Sequence, residues 1–479
     1  MRHRSALRWG VVLIAMTAPA VWLAPGCGAR TDIDEDAEEE EEQDAGGDAA
    51  GDAAADADGG EDASPDAPTD APQDVAEDAP PDVLEDALPD SPPDAPEDAP
   101  EDVSEDVPAD VPEDVPADVP EDVPPDGACP DNDGDGYTVC DGDCDDSNPL
   151  INPGAFDFPN GLDDDCDGGV DNPILNCSDG LQYTSQDPVD YAKSIDICQA
   201  TTAGATGANK KWGLLSAELR LADGTGTPAP TSHAIITAMG DVIGPRKNSN
   251  FVLFSSGLAA APGQPYYQFG TPQGGTGHGL SSATPPGFPT NKAGCPTPFA
   301  ALAFDPVNLK LSIRTPTNAK SFGFDHAFFS SEYPEYACSS FNDLWVTLLQ
   351  TGAPGIANNK NIIFDTQGTP GSVNLNFFDR CVAGPTGCVG TPGFNFCSGG
   401  KAELAGTGYG DPDAPCGVQS SIGGATGWVT TEAPVLPGEV ITVQFMVWDS
   451  SDGIFDSAAI LDNFRWLQGG LPNPKTYRP

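Results

Sequence analysis

The chain is 479 residues long and carries a formal charge of −55, from 75 acidic and 20 basic side chains. Most of this excess is local, because residues 31–127 hold 39 acidic and no basic side chains and residues 129–171 hold 13 aspartates. Nucleic acid is a disfavoured partner, since its phosphates need a basic face that none of these segments offers. Divalent cations or a cationic surface suit this composition better.

The N-terminus has the pattern of an export signal. Arg2, Arg4 and Arg8 precede an apolar run over 11–23 that is too short for a good membrane span, so we expect a signal peptide over 1–27. The sequence LAPGC at 23–27 resembles a bacterial lipobox. This resemblance implies that Cys27 receives a lipid, which would anchor an outer-membrane or cell-surface lipoprotein in the membrane. The alternative is cleavage after residue 20 and a freely secreted product.

Residues 28–127 are expected to form a long disordered acidic linker. From Thr31 to Pro125 the sequence has no aromatic residue and consists mainly of Asp, Glu, Ala, Pro and Val, so it cannot build a core. Recurrent proline and like charges favour a stiff, extended stalk, with a reach of at most about 3.1 Å per residue, or roughly 300 Å in total. A cation-collecting role for the linker is the alternative interpretation.

Two half calcium loops repeat in the segment 128–172. Aspartates at 131, 133 and 135 precede Gly136, which is the pattern of positions 1, 3, 5 and 6 of a calcium loop, and Tyr137 would offer its carbonyl at position 7. Residues 163–168 repeat this spacing and end in Gly168. The segment is not an EF-hand, because position 12 lacks a glutamate and the flanking Pro, Gly and Cys residues oppose helices.

Hard oxygen ligands select calcium over zinc or copper, and no histidine lies between residues 129 and 171. We therefore expect calcium as the cofactor; the alternative is a disordered acidic run without a specific site. The candidate ligands are Asp131, Asp133, Asp135, Tyr137, Asp141, Asp143, Asp145, Asp146, Asp163, Asp165, Asp167 and Asp171.

The cysteines predict disulfides. Without Cys27 their number is even, which suits an oxidising compartment. The four cysteines of the segment 128–172 could instead bind zinc as thiolates, and as disulfides they allow three connectivities. The disulfide candidates are Cys129, Cys140, Cys144, Cys166, Cys177, Cys198, Cys295, Cys338, Cys381, Cys388, Cys397 and Cys416.

The same segment resembles a known module. The motifs D-x-D-G-D-G-Y, D-G-D-C-D-D, P-G-A and N-G-x-D-D-D-C-D-G are similar to the MopE-type metal-binding motif of bacterial surface proteins, which is akin to thrombospondin type 3 calcium repeats. Some members are associated with copper, so the resemblance leaves the metal open. One departure is FDFP at 156–159, where the family usually has a glutamate and often a further cysteine.

Residues 173–470 have the composition of a globular domain, followed by a tail over 471–479. Asp187 and Pro188 predict a helix as its N-cap and first residue. Elsewhere apolar residues alternate with period two, as at 309–313, 322–328 and 441–447, which indicates strands. Frequent Gly and Pro clusters separate these runs. We expect a mainly β fold, an antiparallel β-sandwich with a jelly-roll-like arrangement.

Several stretches of this domain resemble the choice-of-anchor L domain of exported bacterial proteins. They lie at 187–198, 212–217, 329–336, 341–343, 364–368 and 460–464. The resemblance implies a surface-displayed β-rich domain whose activity is not established. No sorting tail follows Leu467, so the anchor is expected at Cys27.

A second metal site is one interpretation of the acids on or beside the predicted strands. Asp462 is in phase with the apolar residues 458, 460, 464 and 466, where a lone carboxylate would be costly unless it is paired or metal-bound. We predict a calcium site that joins Asp462 to Glu332 or Asp343. Capping of backbone amides by these carboxylates is an equally weighted alternative.

The sequence contains no recognisable catalytic motif, so we expect a protein that is not an enzyme. His326 is expected to be a packed core residue, and His233 and His278 are the other histidines beyond the signal region. The function we expect is adhesion or binding of a surface ligand, either polysaccharide or protein. The alternative is a secreted or surface polysaccharide hydrolase with scattered carboxylates and a structural calcium module.

Overall fold

The computed structural model describes residues 129–172, 176–260, 277–410, 412–413, 416, 420–421 and 423–479. The expectations for the signal peptide, for Cys27 and for the acidic stalk lie outside these residues. In the ranges described, no helix is both long and apolar enough to cross a membrane.

The predicted helix is confirmed. It spans Pro188–Ser194, and the carboxylate of Asp187 caps it by accepting a hydrogen bond from the amide of Val189 at 2.9 Å. Short 3-10 helices occur at Val139–Asp141, Gly207–Asn209 and Ala402–Leu404. The strands are β1 Gly213–Arg220, β2 His233–Ile236, β3 Phe251–Ser255, β4 Ser281–Ala283, β5 Leu302–Arg314, β6 Ser321–Ser330, β7 Leu344–Gln350, β8 Gly384–Thr386, β9 Gly393–Asn395, β10 Pro412–Asp413, β11 Ser420–Ser421, β12 Gly424–Ala425, β13 Val429–Pro434, β14 Val440–Ser450, β15 Ser457–Leu467 and β16 Lys475–Tyr477.

Two antiparallel sheets form the predicted sandwich. One has five strands in the order β1-β5-β14-β7, with β4 beside β5. The other has seven in the order β16-β13-β6-β15-β3-β2, with β12 beside β6. Two small ribbons, β8-β9 and β10-β11, stand apart from both. Since β16 pairs with β13, the expected tail over 471–479 is wrong in part: residues 475–477 are the edge strand of the larger sheet.

The main core lies between the two sheets. The apolar alternation at 309–313 and 441–447 places these side chains on the inner face of the five-stranded sheet. They meet aromatic residues from the other sheet, as in the contact of Phe324 with Phe445 at 5.1 Å between ring centroids. Strand β6 is buried along its whole length because loops also cover the outer face of its sheet, where Phe329 packs against Tyr409.

Candidate metal centre

The first half-loop is closed by hydrogen bonds from its own backbone. The carboxylate of Asp131 accepts from the amides of Gly134 at 2.7 Å and Gly136 at 3.0 Å. The carboxylate of Asp135 accepts from the amide of Tyr137 at 2.8 Å. Gly136 has φ of 93°, a conformation that favours glycine, which explains the glycine at position 6.

The second half-loop repeats this geometry. Asp163 accepts from the amides of Asp167 at 3.2 Å and Gly168 at 3.0 Å, and Gly168 also has φ of 93°. The bond from position 6 to position 1 is therefore the same in both loops. The Cys144–Cys166 disulfide joins the segment that follows the first loop to the second loop itself.

Three groups of carboxylates converge in this module. In each group, three oxygens from different side chains lie within 4.8 Å of one another, and no other such group of acidic, histidine or cysteine side chains occurs in the described ranges. Asp133 belongs to two of the groups. The groups are Asp131, Asp133 and Asp146; Asp133, Asp135 and Asp143; and Asp163, Asp165 and Asp167.

The carboxylates fit a hard divalent cation. One oxygen each of Asp133, Asp143 and Asp165 is buried without a hydrogen-bond partner. Burial, and next the charge of Asp167, raises the pKa of Asp165 to about 6. Burial also raises the pKa of Asp135 and Asp143, and the nearby charge of Asp133 adds to it. A cation would offset the cost of these inward-facing oxygens, and calcium prefers ligands of this kind.

Several predicted ligands lie outside the three groups. Asp141 accepts from the hydroxyl of Thr138, Asp145 from that of Ser147, and Asp171 from the amides of residues 160 and 161. The ring of Tyr137 is buried and its hydroxyl donates to the carbonyl of Lys210. These side chains shape turns or join the module to the domain.

Asn152 is a buried residue whose role at the first half-loop the spacing of the aspartates did not predict. Its amide group donates to the second oxygen of Asp135 at 2.7 Å and so orients that carboxylate. Its own side-chain oxygen accepts from the hydroxyl of Thr317 in the domain at 2.8 Å. The only signal in the sequence was its place in the N-P-G-A motif, which indicates a turn and not a contact with the loop.

The departure at 156–159 forms the docking face of the module. Phe156 and Phe158 pack against the inter-sheet core, and the ring of Phe156 lies 5.3 Å from that of Trp212. Asn318 of the domain holds the backbone of Phe156: its side-chain oxygen accepts from the amide of Phe156 at 2.9 Å, and its side-chain nitrogen donates to the carbonyl of Phe156 at 2.8 Å. The aromatic residues thus bind the module to the sandwich where the family usually has a glutamate.

All twelve cysteines of the described ranges are paired, as predicted. The two disulfides inside the module rule out a zinc site made of its four thiolates. The pairs are Cys129–Cys140, Cys144–Cys166, Cys177–Cys198, Cys295–Cys338, Cys381–Cys397 and Cys388–Cys416.

The predicted second site needs a correction at Asp462. A register shift in β15 between Asp462 and Arg465 separates Asp462, which is in phase with Ala458 and Ile460 on the outer face, from Phe464 and Trp466 in the inter-sheet core. Asp462 accepts from the amides of residues 246, 247 and 463, the nearest at 2.5 Å. It therefore has the capping role that was the alternative.

Glu332 and Asp343 do lie near one another, since the charge of Asp343 raises the pKa of Glu332. Their partner is Asp449 and not Asp462. The sequence did indicate that Asp449 faces inwards, because this residue continues the alternation of the inward residues 441, 443, 445 and 447 along β14.

The histidines are engaged inside or beside the sandwich. His326 accepts from the indole of Trp345 at 3.0 Å and bonds to the hydroxyl of Thr431 at 2.8 Å, and burial lowers its pKa to about 3. The ring of His233 bonds to the hydroxyl of Tyr191 at 2.6 Å, and burial lowers its pKa to about 4. His278 lies close to the carbonyl of Gly257. His326 is thus the packed core residue that was expected.

Two family models match the chain, in the order expected from its motifs. Residues 143–172 match the MopE-type family described as "Putative metal-binding motif". Residues 310–464, about a third of the chain, match the choice-of-anchor L domain. The first half-loop precedes the first matched range, and strands β1 to β4 lie between the two ranges. No curated protein matches the chain.

A disulfide-stabilised metal-binding motif followed by a choice-of-anchor domain fits a surface-associated or secreted protein. The acidic groups of the module indicate that this protein binds a metal.

Proposed function

We propose that the chain is a calcium-binding lipoprotein of the bacterial cell surface that displays its β-sandwich on an acidic stalk. The proposal depends above all on the three carboxylate groups, each of which contains at least one buried oxygen without a hydrogen-bond donor, on Asp133, Asp143 or Asp165. Carboxylate oxygens, completed by backbone and water oxygens, are the ligands that calcium takes in proteins.

Calcium would strengthen the junction between the stalk and the sandwich. The module contacts the domain through Phe156, Tyr137 and Asn152, and two of these three residues also contact the carboxylates of the first half-loop through Asp135. An ion bound by Asp133, Asp135 and Asp143 would hold this loop and its docking contacts together. The module then has a binding and structural role, and adhesion or ligand binding belongs to the sandwich.

The metal proposal is tested by calorimetric titration of the full chain with calcium. Asp133→Asn removes a carboxylate shared by two groups, and Asp165→Asn removes one from the third group. Each variant should lose part of the binding heat, with the larger loss for Asp133→Asn. Asp171→Asn is the matched control, because it removes the same charge from the module outside the groups. No heat in the parent, or equal losses in all three variants, would contradict calcium binding at these groups.

The membrane anchor is tested separately. Radioactive palmitate should label the chain expressed in a bacterium with lipoprotein processing, and Cys27→Ala should abolish the label. Equal labelling of both chains would exclude lipidation at Cys27. The sandwich ligand is sought by comparing surface polysaccharides and surface proteins in binding assays, with turnover of the polysaccharide as the outcome that would support a hydrolase instead.

A further inference from the structure

A second group of acids lies inside the sandwich. Glu332 follows β6, Asp343 precedes β7, and Asp449 is the penultimate residue of β14. Each of these side chains is at most 1% exposed. The fold brings them together at one end of the sandwich, where the loop after β6 meets the loop between β14 and β15.

Asp343 connects the strands at this end. One of its oxygens accepts from the amide of Ser450 at 2.9 Å, and the other accepts from the hydroxyl of Ser457 at 2.8 Å. The carboxyl group of Asp449 is also close enough to lower the pKa of Asp343. The charge of Asp343 acts on Glu332 and that of Glu332 acts on Asp449, so the three groups share one environment.

Several oxygens at this place have no donor. Oε2 of Glu332, both carboxylate oxygens of Asp449 and the hydroxyls of Ser331 and Ser450 are buried without a hydrogen-bond partner. The hydroxyl of Ser256 is close enough to lower the pKa of Asp449, but it is already bonded to the backbone of Ser457. Unpartnered carboxylate oxygens at this depth need a compensating charge or proton.

The residues that the structure describes supply no cationic side chain to this group of acids. Among the ion pairs of the described residues, none reaches Glu332, Asp343 or Asp449. Burial raises the pKa of each of the three well above its usual range, and the neighbouring acids raise those of Glu332 and Asp449 further. Either protons or a bound metal ion must therefore neutralise the group.

We propose that Glu332, Asp343 and Asp449 hold a divalent cation inside the sandwich, with calcium as the ion that suits them best. The open atoms are all hard oxygens, which calcium prefers over nitrogen and sulfur ligands. The three carboxylates are less tightly gathered than the groups in the module. An ion would draw the flexible Glu332 side chain towards the Asp343–Asp449 pair, and backbone or water oxygens would complete its ligands.

The test starts from the full chain with the module silenced by Asp133→Asn and Asp165→Asn together. Bound calcium is counted by equilibrium dialysis, and thermal unfolding is followed with calcium and with chelator. The proposal predicts that this parent still binds one calcium ion per chain and unfolds at a higher temperature in calcium. Adding Asp449→Asn or Glu332→Gln should remove the ion and the calcium-dependent shift.

Asp462→Asn in the same background is the matched control, because Asp462 is equally buried but bonded to backbone amides. It should keep the ion. A folded, module-silenced parent that binds no calcium and has the same unfolding temperature in calcium and chelator would overturn the proposal. So would an Asp449→Asn chain that is stabilised equally in both buffers, which is the result for carboxyls that are neutralised by protons. The parent measurement decides the question even if the variants of the buried acids do not fold, and the calcium lost on silencing the module reports on the module alone.

Discussion

The module and the sandwich hold their carboxylates in opposite ways. In the module, Asp131 and Asp163 are each held by amides no more than five residues away, and many of the acids remain partly exposed. In the sandwich, Asp343 bonds to residues more than 100 positions away and is fully buried. A local loop can therefore prepare a cation site before the domain is complete, whereas the buried group exists only in the finished fold.

Removal of calcium should have the largest effect on the free energy of unfolding. The free energy of unfolding should fall by about 4 kcal/mol for each site that is at a thousandfold excess of calcium over its Kd. Unfolding in urea, with calcium or chelator, measures the loss. Tryptophan fluorescence reports mainly on the sandwich, because five of the seven tryptophans lie within 212–466 and residues 129–172 contain none. Superimposable curves in the two buffers would show that the stability of the sandwich does not depend on calcium.

The local features were predictable because their causes are local. The spacing of aspartate and glycine is sufficient to form the two half-loops, and Asp187 with Pro188 is sufficient to start the helix. Alternating apolar residues likewise predicted the strands of the core. The pairing of the cysteines was not predictable, since it depends on how loops distant in sequence meet.

At Asp462, the alternation of side chains along a strand did not predict which face of the sheet each residue occupies. A single register shift moves the residues after it to the other face, and no signal in the sequence marked this shift. Asp449 had the same phase signal. The pairing of β14 with β5 also shifts register between Val447 and Asp449, but the extra residue lies in β5, so Asp449 keeps its phase and reaches the inner end of β14. The docking role of Phe156 was also hidden, because its partner Trp212 belongs to another part of the chain.

Asp462 is a third kind of buried carboxylate, and its contribution to the stability of the fold depends on pH. Burial raises its pKa to about 7 despite its bonds to backbone amides, while an unfolded aspartate has a pKa of 3.8. Between these values the folded chain binds more protons than the unfolded chain, so stability falls as the pH rises from about 4 to 7 and then levels off. Between pH 5 and pH 8, this group should remove roughly 2–3 kcal/mol.

Urea unfolding at pH 5 and pH 8 in chelator checks this value, with the wild type compared with Asp462→Asn. The variant should lose less stability than the wild type as the pH rises. Asp223→Asn is the control: this exposed residue has a pKa lowered by its bonds to Thr225, so it stays ionised at both pH values. An equal pH dependence in the wild type and Asp462→Asn would show that Asp462 does not titrate in this range.

The substitution Phe156→Ala tests whether calcium binding by the module depends on its docking to the sandwich. The ring packs against the inter-sheet core and Trp212, so its loss should lower the free energy of unfolding by about 2–3 kcal/mol, less than for a fully buried phenylalanine. Calcium binding by the half-loops should persist, because their hydrogen bonds are local. Val139→Ala is the control, since Val139 is an apolar residue of the module that is 63% exposed. If Phe156→Ala lost calcium binding as well as docking, the calcium site of the module would depend on its contacts with the sandwich and would not be local.

The smallest expected effect concerns the backbone of the second half-loop. At Gly168 an added Cβ would meet no atom within 4 Å, so Gly168→Ala tests the positive φ alone and should cost about 1 kcal/mol. Gly204→Ala is the matched control, because that site is equally open and has no positive φ, so it should be neutral or slightly stabilising. Strain at Gly168 would also disturb the amide that holds Asp163, so calorimetry should detect weaker calcium binding in this variant only. If both variants bind calcium as the wild type does, then the closed half-loop is not what prepares the site, and the module would resemble the sandwich in needing the rest of the fold.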